Sequence, residues 1–333
     1  MRRGPDGPSL RLVAAAYGGQ ENTGRQLGSA PPIDPEQVVI VESVADSEVP
    51  VHLMYVETMD GLYAPIGLRK PPGEGPFPIV LLASGNGGGG MRWIRDAVSN
   101  RGLIMERLLE SGYACAWLRY RSEVELGYDR GGRLVRDVRQ GRDLLSRSPL
   151  EYEDEIAVIE FVKTLPFIDP DRVGLIGVSH GGEMVLKITS EYRGAAVGVA
   201  AEPAAHEFLA LNLDDTAFVD ERTQLRNIEH MQMVEVEKVR SRIDPRVAAA
   251  RISTIETPIL VIGREEDHLQ GIFRTTYELL AEAGKEVEWA SYHHPVHGFI
   301  FPSRQADGAY VVDAVQAEAI THLVEYLDRY LAD

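Results

Sequence analysis

The sequence predicts an α/β fold: a mainly parallel, twisted sheet with helices on both faces and a helical insertion near its end. Three observations predict it. Uninterrupted apolar runs such as Ile79-Val80-Leu81-Leu82-Ala83 recur along the chain, as expected of strands buried on both faces. Segments of helical periodicity separate these runs, which is the arrangement that crossovers between parallel strands require. One run, Val173 to Gly177, leads directly into Val178-Ser179-His180-Gly181-Gly182 and then a helical stretch.

Residues 1–37 are rich in Gly, Pro, Ser and Gln and read as a loose arm, with too few apolar residues to fold alone. Residues 38–333 form the main domain. Val38 to Val41, Val51 to Val56 and Leu62 to Leu68 are short β-type runs, and Asp60-Gly61 marks a hairpin turn between the last two. After the strand at Ile79 to Ala83, a helix around Leu103 to Leu109 precedes a strand at Tyr113 to Leu118. A helix at Tyr152 to Thr164 precedes the strand at Val173 to Gly177; a helix at Gly181 to Tyr192 and a strand at Ala195 to Ala200 follow. Ile259 to Gly263 is a strand, Ile272 to Ala283 a helix, Val287 to Tyr292 a strand, and Ala314 to Leu331 a closing amphipathic helix. Two stretches break the rhythm. Arg119 to Leu150 is arginine-rich, and residues 202–255 are long, polar and helix-prone. A structureless loop of the second length is improbable in a compact domain, so it is expected to form a helical cap.

The 333 residues are 44% apolar and 26% charged, an ordinary globular composition. The 34 Lys and Arg stand against 51 Asp and Glu, a formal charge of −17 that opposes nucleic-acid backbones and anionic membranes as main partners. A single cysteine, Cys115, excludes an intramolecular disulfide and any CxxC site. No apolar run approaches the ~18–20 residues that span a bilayer. Met1-Arg2-Arg3 followed by Leu12 to Ala16 only faintly matches a signal peptide, since the run is short and Arg11 adjoins it. A cytoplasmic location is expected, with secretion the alternative.

Ser179 carries the strongest chemical signal. A GxSxG between a buried strand and a helix forces a sharp turn that presents the hydroxyl above the carboxyl edge of the sheet. A serine needs a base, and the base an orienting acid. Downstream, Glu265-Glu266-Asp267 leaves one strand end and His293-His294-Pro295-Val296-His297 leaves another, both at carboxyl ends, where ligands bind in such sheets. The oxyanion donors expected are the N–H of His180 and, from the turn Ser84 to Gly90, those of Asn86 and Gly87. A phosphate loop is the competing reading of that turn, but the Lys-Ser/Thr that would complete it is missing. A zinc site from His268, His293, His294, His297 and Asp267 is the other alternative; no HExxH pattern accompanies it.

From about Val38 onward the chain resembles an α/β-hydrolase of the dienelactone hydrolase and prolyl oligopeptidase group. Phe167-Ile168-Asp169-Pro170-Asp171-Arg172-Val173 through Gly182, Pro258 to Gly263, and His297-Gly298-Phe299 carry the resemblance. It implies Ser179 as nucleophile, Asp267 as acid and His297 as base. Oligopeptidases of the group carry a propeller, which the forty or so residues before Val38 cannot build, and the tyrosine that often serves their oxyanion hole has no evident counterpart. Both departures favour an esterase over a peptidase. Gly177 to Glu183 and Glu266-Asp267-His268 are also similar to acyl-CoA thioesterases and acyltransferases, the runner-up. The expectation is a serine esterase with a Ser-His-Asp triad, no cofactor and no metal, a small-molecule ester as its partner, no nucleic acid or membrane, and homo-oligomerisation left open.

Overall fold

The computed structural model describes residues 39–59, 61–83, 85, 90–119, 148–212, 219–220, 225–226 and 232–332. The expected arm, Asn86, Gly87 and most of the arginine-rich stretch lie outside the described residues.

The sheet opens with β1 (Ile40–Glu42), β2 (Val51–Glu57) and β3 (Tyr63–Arg69), each antiparallel to the next. The β2–β3 hairpin turns at Gly61, whose φ of +80° suits a residue without a Cβ. Then come β4 (Phe77–Ala83), α1 (Gly90–Asn100), α2 (Leu103–Glu110), β5 (Ala114–Leu118) and α3 (Ser148–Lys163). They are followed by β6 (Ile168–Val178), α4 (His180–Glu191) and β7 (Val197–Ala201). The nine-stranded sheet runs β1-β2-β3-β5-β4-β6-β7-β10-β11, with β10 (Ile259–Arg264) and β11 (Val287–Tyr292) at the far end. From β5 to β11 every neighbouring pair is parallel. The remaining helices flanking the sheet are α7 (Gln270–Glu282) and α8 (Ala314–Leu331).

Alternation along the strands divides the core in two. Ile79, Leu81 and Ala83 of β4 face one cluster, which takes in Phe161 of α3, Leu186 of α4 and Phe273 of α7. Val80 and Leu82 face the other, with Ile94 of α1, Leu108 of α2 and Leu323 of α8. A strand covered on both faces has no polar side, which is why these runs are uninterrupted in sequence. Helix α1 was not expected. The glycine run before it masks a helical pattern in which Ile94, Ala97 and Val98 are buried.

Within 202–255 the described residues include the short ladder of β8 (Val219–Asp220) with β9 (Leu225–Arg226), and helices α5 (Val236–Arg240) and α6 (Pro245–Thr254). The Asp244 side chain caps α6 by accepting from the N–H groups of Arg246 and Val247.

Register places the strand ends that matter side by side. Ala83 pairs with Gly177, Val178 with Ala201, Ala201 with Ile262, and Arg264 with Tyr292. The connections after five strands, β4, β6, β7, β10 and β11, therefore leave the carboxyl edge of the sheet as neighbours, the position where open parallel sheets bind ligands.

Candidate active site

Ser179 sits between β6 and α4 with φ 59° and ψ −117°, a backbone conformation that costs a residue with a Cβ on the order of 1–3 kcal/mol. The surroundings hold it there. Its N–H donates to Ala201 O at 3.0 Å, and its carbonyl accepts from the N–H of Glu183 at 3.1 Å and of Ala204 at 3.0 Å. The turn is tight enough to dictate its glycines. A Cβ on Gly177 would lie 2.0 Å from Gly181 O, and one on Gly182 would lie 2.8 Å from Ala201 O. Gly85, at the start of the glycine-rich turn, approaches the nucleophile so closely that a Cβ there would lie 3.4 Å from Ser179 Oγ. Its carbonyl accepts from Arg119 Nη1 at 2.9 Å, and the Arg119 guanidinium stacks 4.0 Å from the Trp93 ring centroid.

His180 opens α4, where first-turn N–H groups have no acceptor within the helix and are directed at its N-terminal end. Its imidazole turns inward, buried, onto Glu151 Oε2, with Nδ1 3.7 Å from Glu183 Oε2. Burial alone would raise the pKa of Glu183, but Lys187 and the neighbouring histidines hold it well below the usual carboxylate range. The same Glu183 accepts from the N–H groups of Glu207 and Phe208, each at 2.8 Å. A charged network thus braces the underside of the turn.

On the other side, Asp267 leaves β10 and His297 leaves β11. His297 Nδ1 is 3.0 Å from Asp267 Oδ2, the histidine 38% exposed and the carboxylate fully buried. Glu265 and Glu266 point elsewhere, both exposed beside His293. Asp267 Oδ1 accepts from the Leu269 N–H at 2.8 Å and lies 3.2 Å from His268 Nδ1. Burial works against its charge, but the hydrogen bonds to His268 and His297 keep it ionised well below the ordinary range.

Sequence reasoning missed two members of this corner. Glu202 follows β7, is fully buried, and brings Oε2 to 2.7 Å from His297 Nδ1. Its Oε1 accepts from the Gly298 N–H at 2.9 Å. Arg264, the last residue of β10, reaches both acids: its Nε is 3.3 Å from Glu202 Oε2 and 3.1 Å from Asp267 Oδ2. Burial lowers the basicity of His297, yet the hydrogen bond to Asp267 and the negative charge of both carboxylates beside the ring outweigh it and raise its pKa above the ordinary imidazole value. The signal for Glu202 was available: an acidic residue at the carboxyl end of a parallel strand, the criterion applied to Asp267. Assigning it to the start of the cap hid it.

Among the described residues no hydrogen bond joins Ser179 Oγ to His297. The loop after His297 nevertheless runs close to the end of β6, since a Cβ added to Gly298 would lie 3.5 Å from Val178 Cγ1. Such contacts commonly close only once substrate is bound. The five residues of the zinc alternative are not gathered: His294 bonds to Asp313 Oδ2 at 3.0 Å and His293 is exposed. Glu202, Asp267 and His297 do offer three ligand atoms within 4.8 Å of one another, but Arg264 already lies against both carboxylates.

The profile of a family described by the alpha/beta hydrolase fold matches residues 146–301. The chain is 26% identical over 258 residues to "Uncharacterized peptidase YuxL" of Bacillus subtilis, covering 75% of this chain and 35% of that one. It thus spans about a third of that relative. Among solved structures, acylaminoacyl peptidase of Pyrococcus horikoshii superposes with a TM-score of 0.58 at 17% identity, over 86% of this chain and 42% of that one. A fungal esterase of Rhizomucor miehei gives 0.56 at 16% identity, over 86% and 85%. The sheet order, the turn at Ser179 and these likenesses agree: the chain has the α/β-hydrolase fold.

Proposed function

We propose that the protein is a serine hydrolase of carboxylic esters working through Ser179, His297 and Asp267. The observation that carries the reading is the backbone of Ser179, a serine held at φ 59° at a strand-to-helix junction beside a loop that bears a histidine on a buried carboxylate. A folded chain has little reason to bear that strain unless the hydroxyl it presents is used.

In this reading neutral His297 takes the Ser179 proton on Nε2 as Oγ attacks the ester carbonyl carbon. Asp267 holds the tautomer with hydrogen on Nδ1 and stabilises the imidazolium that forms. The carbonyl oxygen gains negative charge and is met by the N–H of His180 and by N–H groups of the Ser84 to Gly90 turn, with Asn86 and Gly87 the expected donors. Each donor is worth on the order of 3 kcal/mol of barrier. Collapse of the tetrahedral intermediate breaks the C–O bond, and His297 gives its proton to the departing alkoxide. Water, deprotonated by His297, then cleaves the acyl-serine ester and restores the hydroxyl.

A peptidase is the second reading, favoured by the similarity to the Bacillus protein and the archaeal fold. The same groups could cleave an amide, whose carbonyl is less electrophilic and whose amine must be protonated to leave. The test compares kcat/KM on p-nitrophenyl acetate and longer p-nitrophenyl esters with that on an N-acyl amino acid p-nitroanilide. Far faster turnover of the esters supports the reading. Equal or faster turnover of the anilide would replace it with the peptidase.

A further inference from the structure

We propose that Glu202 is a second acid on the histidine base: its charge lies against Nδ1 of His297 beside Asp267, while Arg264 holds the two carboxylates side by side. This rests on His297 being the base, as read above, and deepens that reading by adding a positioning residue.

Of the two carboxylates Glu202 is the nearer, 2.7 Å from Nδ1 against 3.0 Å for Asp267, with the hydrogen bond of Nδ1 directed at Asp267 and Glu202 set against it as an ion pair. Its other oxygen accepts from the N–H of Gly298, so one side chain both aims the ring and pins the backbone that follows it. Asp267 is anchored on its own loop instead, through the N–H of Leu269 and the imidazole of His268. The two acids leave adjacent parallel strands, β7 and β10, and so flank the histidine. Two fully buried carboxylates this close repel each other, and losing water disfavours both charges. Arg264 answers that, with Nε within 3.3 Å of one and 3.1 Å of the other. A carboxylate placed only to pair with Arg264 would need neither the imidazole contact nor the Gly298 bond. Glu202 also adopts φ 45°, a conformation disfavoured for a residue with a Cβ, directly after its strand.

The consequence concerns the tautomer. With one acid, replacing aspartate by asparagine costs about 10⁴ in kcat, because the amide lets the imidazole settle in the wrong tautomer. Here the surviving Glu202, 2.7 Å from Nδ1, is placed to take over the Nδ1–H, so Asp267→Asn should lose only about 10- to 100-fold. Glu202→Gln should lose a similar factor, and the double variant should fall by the full ~10⁴.

The deciding measurement is the titration of the His297 ring by ¹⁵N NMR in wild type, E202Q and D267N. The charged groups facing the ring are Glu202 and Asp267, with Arg264 and His268 behind them. A fall in the His297 midpoint in E202Q of at least half the fall in D267N supports the proposal. An unchanged midpoint in E202Q, or a smaller fall than that, overturns it and leaves Glu202 a partner for Arg264 alone. Should E202Q not fold, E202D keeps the charge beside Arg264 while withdrawing the oxygen from Nδ1, and the same criterion applies. The titration does not depend on turnover. Failure of the esterase reading shows separately, as absence of ester hydrolysis and of Ser179 labelling by a fluorophosphonate.

Discussion

The two sides of the site are held by different physics. On the nucleophile side, strain at Ser179 is balanced by backbone hydrogen bonds and by glycines that admit no Cβ. On the base side, His297 is aimed by two carboxylates from the loops after β7 and β10, which a guanidinium at the end of β10 holds together, with little backbone constraint on the ring. A backbone device needs a fixed local pattern of residue types. A charge network needs only that complementary groups arrive together, from any distance along the chain.

The largest effect should come from the nucleophile. Ser179→Ala should lose on the order of 10⁶ in kcat, since removing one member of such a unit costs about as much as removing all. The fold should survive, because a half-buried hydroxyl contributes little packing. Steady-state kinetics on a p-nitrophenyl ester and a thermal melt check both halves. Retention of a tenth of the activity would remove Ser179 from its role.

The base side should fail differently, through stability as well as rate. Arg264→Gln leaves Glu202 and Asp267 buried together without a cation, and breaking a buried ion pair from one side costs about 3–5 kcal/mol. Denaturant unfolding should show that loss, with no counterpart in Ser179→Ala. If Arg264→Gln is as stable as wild type, the network does not hold this corner.

The same comparison predicts the pH profile. His297 must be neutral to accept the serine proton, and its neighbours raise its pKa above the ordinary value. A base with a raised pKa is protonated, and idle, over more of the neutral range. The ascending limb of kcat/KM should therefore lie above pH 6.5, and it should move to lower pH when either carboxylate is neutralised. Proton release followed in a pH-stat reads this directly. A limb below pH 6.5 would mean that the two acids do not act on the imidazole.

How much of this was legible in the sequence follows from the same division. The strands at Ile79, Val173 and Ile259 announced themselves, because burial on both faces leaves an unbroken apolar run, whereas the edge strand at Val287 is half-buried and carries Glu288 and Ser291. Ser179 did too, since the turn dictates Gly177 and Gly182 within a few residues. The pairing of His297 with Asp267 could be expected from order, strand position and the family resemblance, not from any local pattern. Glu202 and Arg264 could not be read as partners. The register that sets Ala201 beside Ile262 brings them together, and no local pattern encodes it. Helix α1 was missed for a different reason: four glycines ahead of it look like the continuation of a loop.

The smallest expected effect sharpens the comparison most cheaply. Three consecutive acidic residues, Glu265, Glu266 and Asp267, leave β10, and sequence alone does not say which of them serves the histidine. In the structure Glu265 and Glu266 are 54% and 69% exposed, and among the described residues the side chain of each pairs only with the exposed His293, at 3.8 and 3.6 Å. Solvent screens such pairs, whose worth is typically within about 1 kcal/mol. Glu265→Gln and Glu266→Gln should each leave kcat within about twofold and the melting temperature nearly unchanged. The contrast with Asp267→Asn, one residue further along the chain, then isolates burial and direction from charge itself. A crippled Glu266→Gln beside a healthy Asp267→Asn would mean that the loop after β10 rearranges in solution and that the buried corner is not the working one.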